Sequence, residues 1–176
     1  IPASGQQFQE AWSSAYVSAP LWSFAIFPGV YGDECCAGVL MSSVDRVGRY
    51  FPLTVYTVPP YARALLREIH TGMPWYRHVT QALPQVLDTQ FTQEQFEALL
   101  QAAPATALHG ADGLDAAQGL NWSDALQHGQ PLAVAGLDDA VGSLAQDLLA
   151  HYLRGASLWW TQLPTGGTLL RTYKGM

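Results

Sequence analysis

The densest run of side chains that could do chemistry is Ser42-Ser43-Val44-Asp45-Arg46-Val47-Gly48-Arg49-Tyr50-Phe51-Pro52-Leu53-Thr54. It sets Asp45, Arg46 and Arg49 in a short connection between two apolar segments. Guanidinium groups in fixed geometry take carboxylates or phosphates in bidentate fashion, so Arg46 and Arg49 could clamp an anion or meet a partner loop. The competing reading is structural: Asp45 caps the turn, one arginine pairs with it, and Gly48 supplies a positive φ. Trp159-Trp160 is the second feature. Neighbouring indoles on a strand point to opposite faces, so one enters the core. The other, Trp160, is a candidate partner anchor if exposed, because Trp is enriched at binding hot spots. Burial of both under helices is the alternative.

The usual catalytic signatures are missing from the sequence. There is no G-x-x-x-x-G-K-[ST] phosphate loop, no G-x-G-x-x-G dinucleotide turn, no G-x-S-x-G elbow and no H-E-x-x-H. His70, His78, His109, His128 and His151 are scattered without ligand spacing. Ser42, His70 and Asp45 could be assembled on paper as a triad, but triads are defined by geometry. Cys35 and Cys36 are adjacent, which strains a disulfide between them and lacks the gap that metal ligands need. They read as two small buried residues of a reduced protein. No catalytic residue, cofactor or metal is expected.

These residues need strands and helices to hold them. Gln6 to Ser18 reads as a helix carrying Phe8, Trp12 and Tyr16 at four-residue spacing, with Trp12, Trp22, Trp75 and Trp122 expected in core or half-core positions. Strands are expected over Leu21 to Phe27, Cys36 to Ser42 and Tyr50 to Val58, joined as an antiparallel meander. Pro59-Pro60 opens a helix bearing Leu65, Leu66 and Ile69. Another runs from Pro74 to about Leu87, bent or interrupted at Pro84. Thr92 to Gln95 fits a capping box ahead of Phe96, Leu99, Leu100 and Ala103. Pro104 to Asn121 reads as a surface excursion and Pro131 to Ala135 as a short strand. Asp138 and Asp139 then favour a helix N-terminus. Val141, Leu144, Ala145, Leu148, Leu149 and Tyr152 are expected as its buried stripe, and Gly155 as its stop. A hairpin turning at Pro164 to Gly167 closes the chain. The expected architecture is a single α/β domain over residues 1–176, an α/β sandwich with a mixed, largely antiparallel sheet flanked by helices.

The chain has 176 residues, 49% hydrophobic and only 12% charged, with a net charge of −6. That composition excludes disorder, and no apolar run reaches the length of a membrane span. The acidic balance argues against nucleic acid as a partner. Charge is segregated: His78 to Leu153 holds nine acids and no Lys or Arg, while the rest holds eight bases against five acids. Such polarity either steers an oriented partner or neutralises itself across the fold.

From Gly38 to Thr54 the sequence resembles the TagF family of type VI secretion, whose most recognisable stretch is G-V-L-x-P-S-V-D-R-V-G-R-x-F-P-L-T; Ser42 stands where the family usually has Pro. Ala11 to Tyr16, Ala19 to Ala25 and Ser157-Leu158-Trp159-Trp160-Thr161 resemble further family segments. The family's G-K-L-P-x-x-G-D-F-V type segment is absent, so the native N-terminal segment is expected to be missing. The resemblance implies a post-translational repressor of type VI secretion in the cytoplasm of Gram-negative bacteria, with no catalytic residues. It implies action beside the threonine-phosphorylation pathway, by sequestering the forkhead-associated scaffold protein. A PP2C-type phosphatase, fused in some relatives, is a further implied partner. On that reading Asp45, Arg46, Arg49 and Trp160 are the candidate partner-binding residues. The alternative is a small hydrolase or phospho-ligand-binding domain with Arg46 and Arg49 as its anion clamp.

Overall fold

Among the described residues, runs rich in β-branched and aromatic side chains, separated by Gly and Pro, pair into a five-stranded sheet. A computed structural model describes residues 11–45, 47–87, 91–104, 108, 127–128 and 137–174. Its strands are β1 (Trp22–Ile26), β2 (Cys36–Val44), β3 (Tyr50–Thr57), β4 (Ala156–Gln162) and β5 (Thr168–Lys174), in the spatial order β3-β2-β1-β4-β5. All four pairings among the described strands are antiparallel, in line with the largely antiparallel sheet expected and without its mixed component. Short links join β1, β2 and β3, a tight turn joins β4 to β5, and β4 returns along β1 in the opposite direction. A parallel neighbour would need a crossover delivering the chain to the other end of the sheet. The strand expected over Pro131 to Ala135 lies outside the described residues.

Helices described with the sheet include α1 (11–17), α2 (Ala62–His70), α3 (Pro74–Ala82), α4 (Gln93–Gln101) and α5 (Leu137–Tyr152). Pro84 cannot sit in a helix interior without clashing with the carbonyl four residues back. The chain accordingly leaves α-helical geometry after Ala82 and tightens into a 3-10 turn over Leu83–Leu87. The capping box is present at α4, with Thr92 Oγ1 accepting from the Gln95 N–H and the Gln95 side chain accepting from the Thr92 N–H. Trp122 and most of Pro104 to Asn121 lie outside the described residues; Leu108, inside the expected surface excursion, is a core residue.

Cross-strand partners share a face of the sheet. Ala25, Ala37, Val39, Met41 and Trp160 fall on one face and form the core with Leu65, Trp75, Tyr76, Val79 and Leu83. The Tyr76 hydroxyl donates to the Phe24 carbonyl at 2.9 Å, and burial, reinforced by the Glu68 charge, pushes its pKa well up. Glu68, also buried, reaches from α2 to the start of α3, where its Oε1 accepts the Trp75 N–H at 2.7 Å. A carboxylate at a helix N-terminus meets donors that have no partner within the helix. On the opposite face the Phe24 ring lies flat over Gly38, where any Cβ would overlap it, and sits 4.9 Å from the Trp159 ring.

Helix α5 departs from expectation. Leu148 is 58% exposed, and Val141, Ala145, Leu149 and Tyr152 are exposed with it, so the expected buried stripe faces outward except for the half-buried Leu144. The packed side is the opposite arc, through Ser143, Gln146, Asp147 and Ala150, with Asp147 paired to Arg63 of α2. The ion pair lies on the packed side of the helix, and most of the apolar stripe lies on the other.

Candidate functional site

The connection between β2 and β3 is held by its own sequence. The Asp45 N–H donates to the Arg49 carbonyl and the Gly48 N–H to the Asp45 carbonyl, each at 3.0 Å, with Gly48 at φ 81°. Asp45 Oδ1 accepts the Val47 and Arg49 N–H groups at 3.0 and 2.9 Å, and Oδ2 accepts Arg49 Nε at 2.7 Å. The Arg49 N–H, then its guanidinium and the Val47 and Gly48 N–H groups, hold the Asp45 carboxyl below its ordinary range. This is the structural reading of Asp45 and Arg49. Arg46 lies outside the described residues, so the two-arginine clamp is not brought together by anything described.

Arg49 still presents a surface. Its side chain is 79% exposed despite the ion pair, and Val47 beside it is exposed as well. Against this turn stands an aromatic cluster that links α1 to the start of β3. The Trp12 and Tyr16 rings stack at 5.4 Å, and Tyr50 meets them edge-on at 5.1 and 5.5 Å. The Ser42 hydroxyl donates to the Val17 carbonyl at 3.5 Å, fastening the end of α1 to β2. Trp12 is 47% exposed, which corrects its expected core or half-core place. Its four-residue spacing from Tyr16 was the available signal; the partner Tyr50, distant in sequence, was not.

Trp160 is not an exposed anchor, and this corrects its candidacy. It is 6% exposed, with its ring 4.8 Å from Tyr76 in the core. Trp159 takes the other face, half-buried, with Nε1 donating to Ser157 Oγ at 3.0 Å. Cys35 and Cys36 are free and buried. Burial, then the neighbouring Cys36, pushes the Cys35 thiol up to about 11; burial raises Cys36 also, so both are neutral thiols near pH 7. Among the described residues no group of three or more His, Cys, Asp or Glu side chains is placed to hold a metal ion. No helix among them is long and apolar enough to cross a membrane.

The model of the TagF N-terminal domain, type VI secretion system-associated, matches residues 1–103, a span that contains α1 to α4, β1 to β3 and the Asp45–Arg49 turn. No curated protein matches the chain. Among solved structures, the crystal structure of PA0076 from Pseudomonas aeruginosa PAO1 is similar at 29% identity with a TM-score of 0.59, over 99% of this chain and 73% of that one. With more than half of its length matched, including the turn built around Asp45, the chain belongs to the type VI secretion system-associated TagF family.

Proposed function

We propose that this protein is a post-translational negative regulator of type VI secretion that works by binding, holding the forkhead-associated scaffold away from assembly. On this reading it acts in the cytoplasm within the threonine-phosphorylation pathway, with a PP2C-type phosphatase as a further partner. The family membership supports the reading, and the observation that carries the site is the exposure of Arg49, Trp12 and Tyr50, the last two ring-packed with the half-buried Tyr16. Aromatic rings fixed by one another, beside a guanidinium fixed by a local carboxylate, lose little entropy on docking and bury large area. No observation favours the anion-clamp alternative, because Arg49 Nε is already taken by Asp45.

Calorimetric titration against the forkhead-associated scaffold of the same secretion cluster tests this. The wild type is expected to bind, and Trp12→Ala or Arg46→Ala/Arg49→Ala, checked for intact folding, to weaken binding at least about tenfold. Absence of wild-type binding overturns the proposed partner. Binding that neither variant changes assigns the turn and its aromatic neighbours to folding.

A further inference from the structure

The two edges of the sheet are not alike. In antiparallel pairs, residues that hydrogen-bond to the neighbouring strand alternate with residues whose N–H and C=O point away from it. On β3, the Asp45-to-Arg49 bond sets the phase, and the register places Tyr50, Pro52, Thr54 and Tyr56 outward. Pro52 therefore removes a donor from the middle of that edge, a common way to discourage strand addition. On β5, the Leu163 N–H donates to the Gly167 carbonyl, so Leu169, Arg171 and Tyr173 bond to β4 while Thr168, Leu170 and Thr172 present N–H and C=O outward. No proline interrupts β5, every residue of it is exposed, and among the described strands none lies beyond it.

A groove of about 540 Å³ adjoins this edge on the face opposite the core, lined by Trp22, Leu40, Ser157, Trp159, Arg171 and Tyr173. The Arg171 guanidinium stands over the Trp22 ring at 6.0 Å, and among the described residues no carboxylate pairs with it. Lys174 ends the strand, its Nζ bonded to the Tyr152 carbonyl over the Tyr152 ring. Thus β5 carries two cations and no acid, beside an aromatic trough.

We propose that the β5 edge and this groove take up an extended acidic segment of another protein as a sixth, antiparallel strand, one of its carboxylates pairing with Arg171 and its apolar side chains resting on Trp159 and Tyr173. Charge selects the occupant: an acidic strand meets Arg171 and Lys174 favourably, whereas a second copy would bring a further Arg171 and Lys174 to the same edge. The inference stands independently of the forkhead-associated scaffold, since it rests on a different part of the sheet from the Asp45–Arg49 turn.

The probe is a blocked decapeptide alternating Glu with Val, with a Lys-Val counterpart as control, added to the isotope-labelled chain. The Glu peptide is expected to slow amide exchange at Thr168, Leu170 and Thr172 at least about tenfold, and the Lys peptide to leave it unchanged. Arg171→Glu is expected to reverse that preference. Thr172→Pro removes one outward N–H without touching the bonds to β4, and is expected to weaken the Glu peptide at least about tenfold. If Thr172→Pro does not fold, the Arg171→Glu reversal decides. Equal effects of both peptides, or no protection by either, overturns the proposal. Protection without peptide that grows with protein concentration also overturns it, in favour of self-association.

Discussion

Asp45 spends both carboxylate oxygens on its own turn, and this gives it a pH signature. Its folded-state pKa lies below the ordinary 3.8, chiefly through the Arg49 N–H. A group depressed on folding contributes stability above its unfolded value and loses it as pH falls through the folded one. Asp45→Asn is therefore expected to melt at lower temperature than wild type at neutral pH, with the gap closing in strong acid, where the wild-type carboxyl is itself protonated. Parallel thermal melts across that range check it; a gap that ignores pH would refute the charge's role. The turn was legible because Asp45, Val47, Gly48 and Arg49 interact within four residues. Trp160 was not, because alternation says that two adjacent indoles separate, but not which one meets the helices.

At the level of elements, caps and breakers near in sequence were readable, and contacts between elements were not. Thr92 and Gln95 announced α4, and Pro84 announced the end of α3. Glu68 carried no such signal, since its partner is the Trp75 N–H at the start of the next helix. Glu68→Ala leaves that buried donor unpaired and is expected to cost about 1–3 kcal/mol in chemical denaturation, with Glu68→Gln recovering part of it. The rotation of α5 supplies a second contrast. Leu148 points outward, so Leu148→Lys is expected to change stability by less than about 0.5 kcal/mol. Leu65→Ala, in the fully buried core, is expected to cost about 2–5 kcal/mol. A large loss at Leu148 would mean that the stripe is covered in solution.

Over the whole molecule, the segregated charges meet. Arg63 of α2 pairs with Asp147 of α5, and Arg154 with Asp33 at 2.7 Å. The first joins the basic part of the chain to its acidic half across a separation of 84 residues. It is one contact of the kind that the self-neutralising reading of the charge pattern calls for. With both side chains about a quarter exposed, a double-mutant cycle on Arg63 and Asp147 is expected to return a coupling of up to about 1 kcal/mol that shrinks with added salt. No coupling would mean that shape alone docks α5. Arg154 and Asp33 are more exposed, and their coupling is expected to be smaller.

Periodicity, turn residues and a short run around Asp45 were sufficient for the order of the described elements, the meander, the final hairpin, one of the two readings of the turn and the family. Each depends on neighbours within a few residues or on a pattern repeated along one strand or helix. Tertiary structure alone decided that Trp160 is core, that most of the α5 stripe faces outward, that Trp12 gathers with Tyr16 and Tyr50, and that proline falls on an outward position of the β3 edge and on none of the β5 edge. Those outcomes depend on which face of an element meets which neighbour, and long-range pairings such as Arg63 with Asp147 and Tyr76 with Phe24 accompany that choice. No local pattern encodes them, because the residues involved become neighbours only after the sheet and helices have packed.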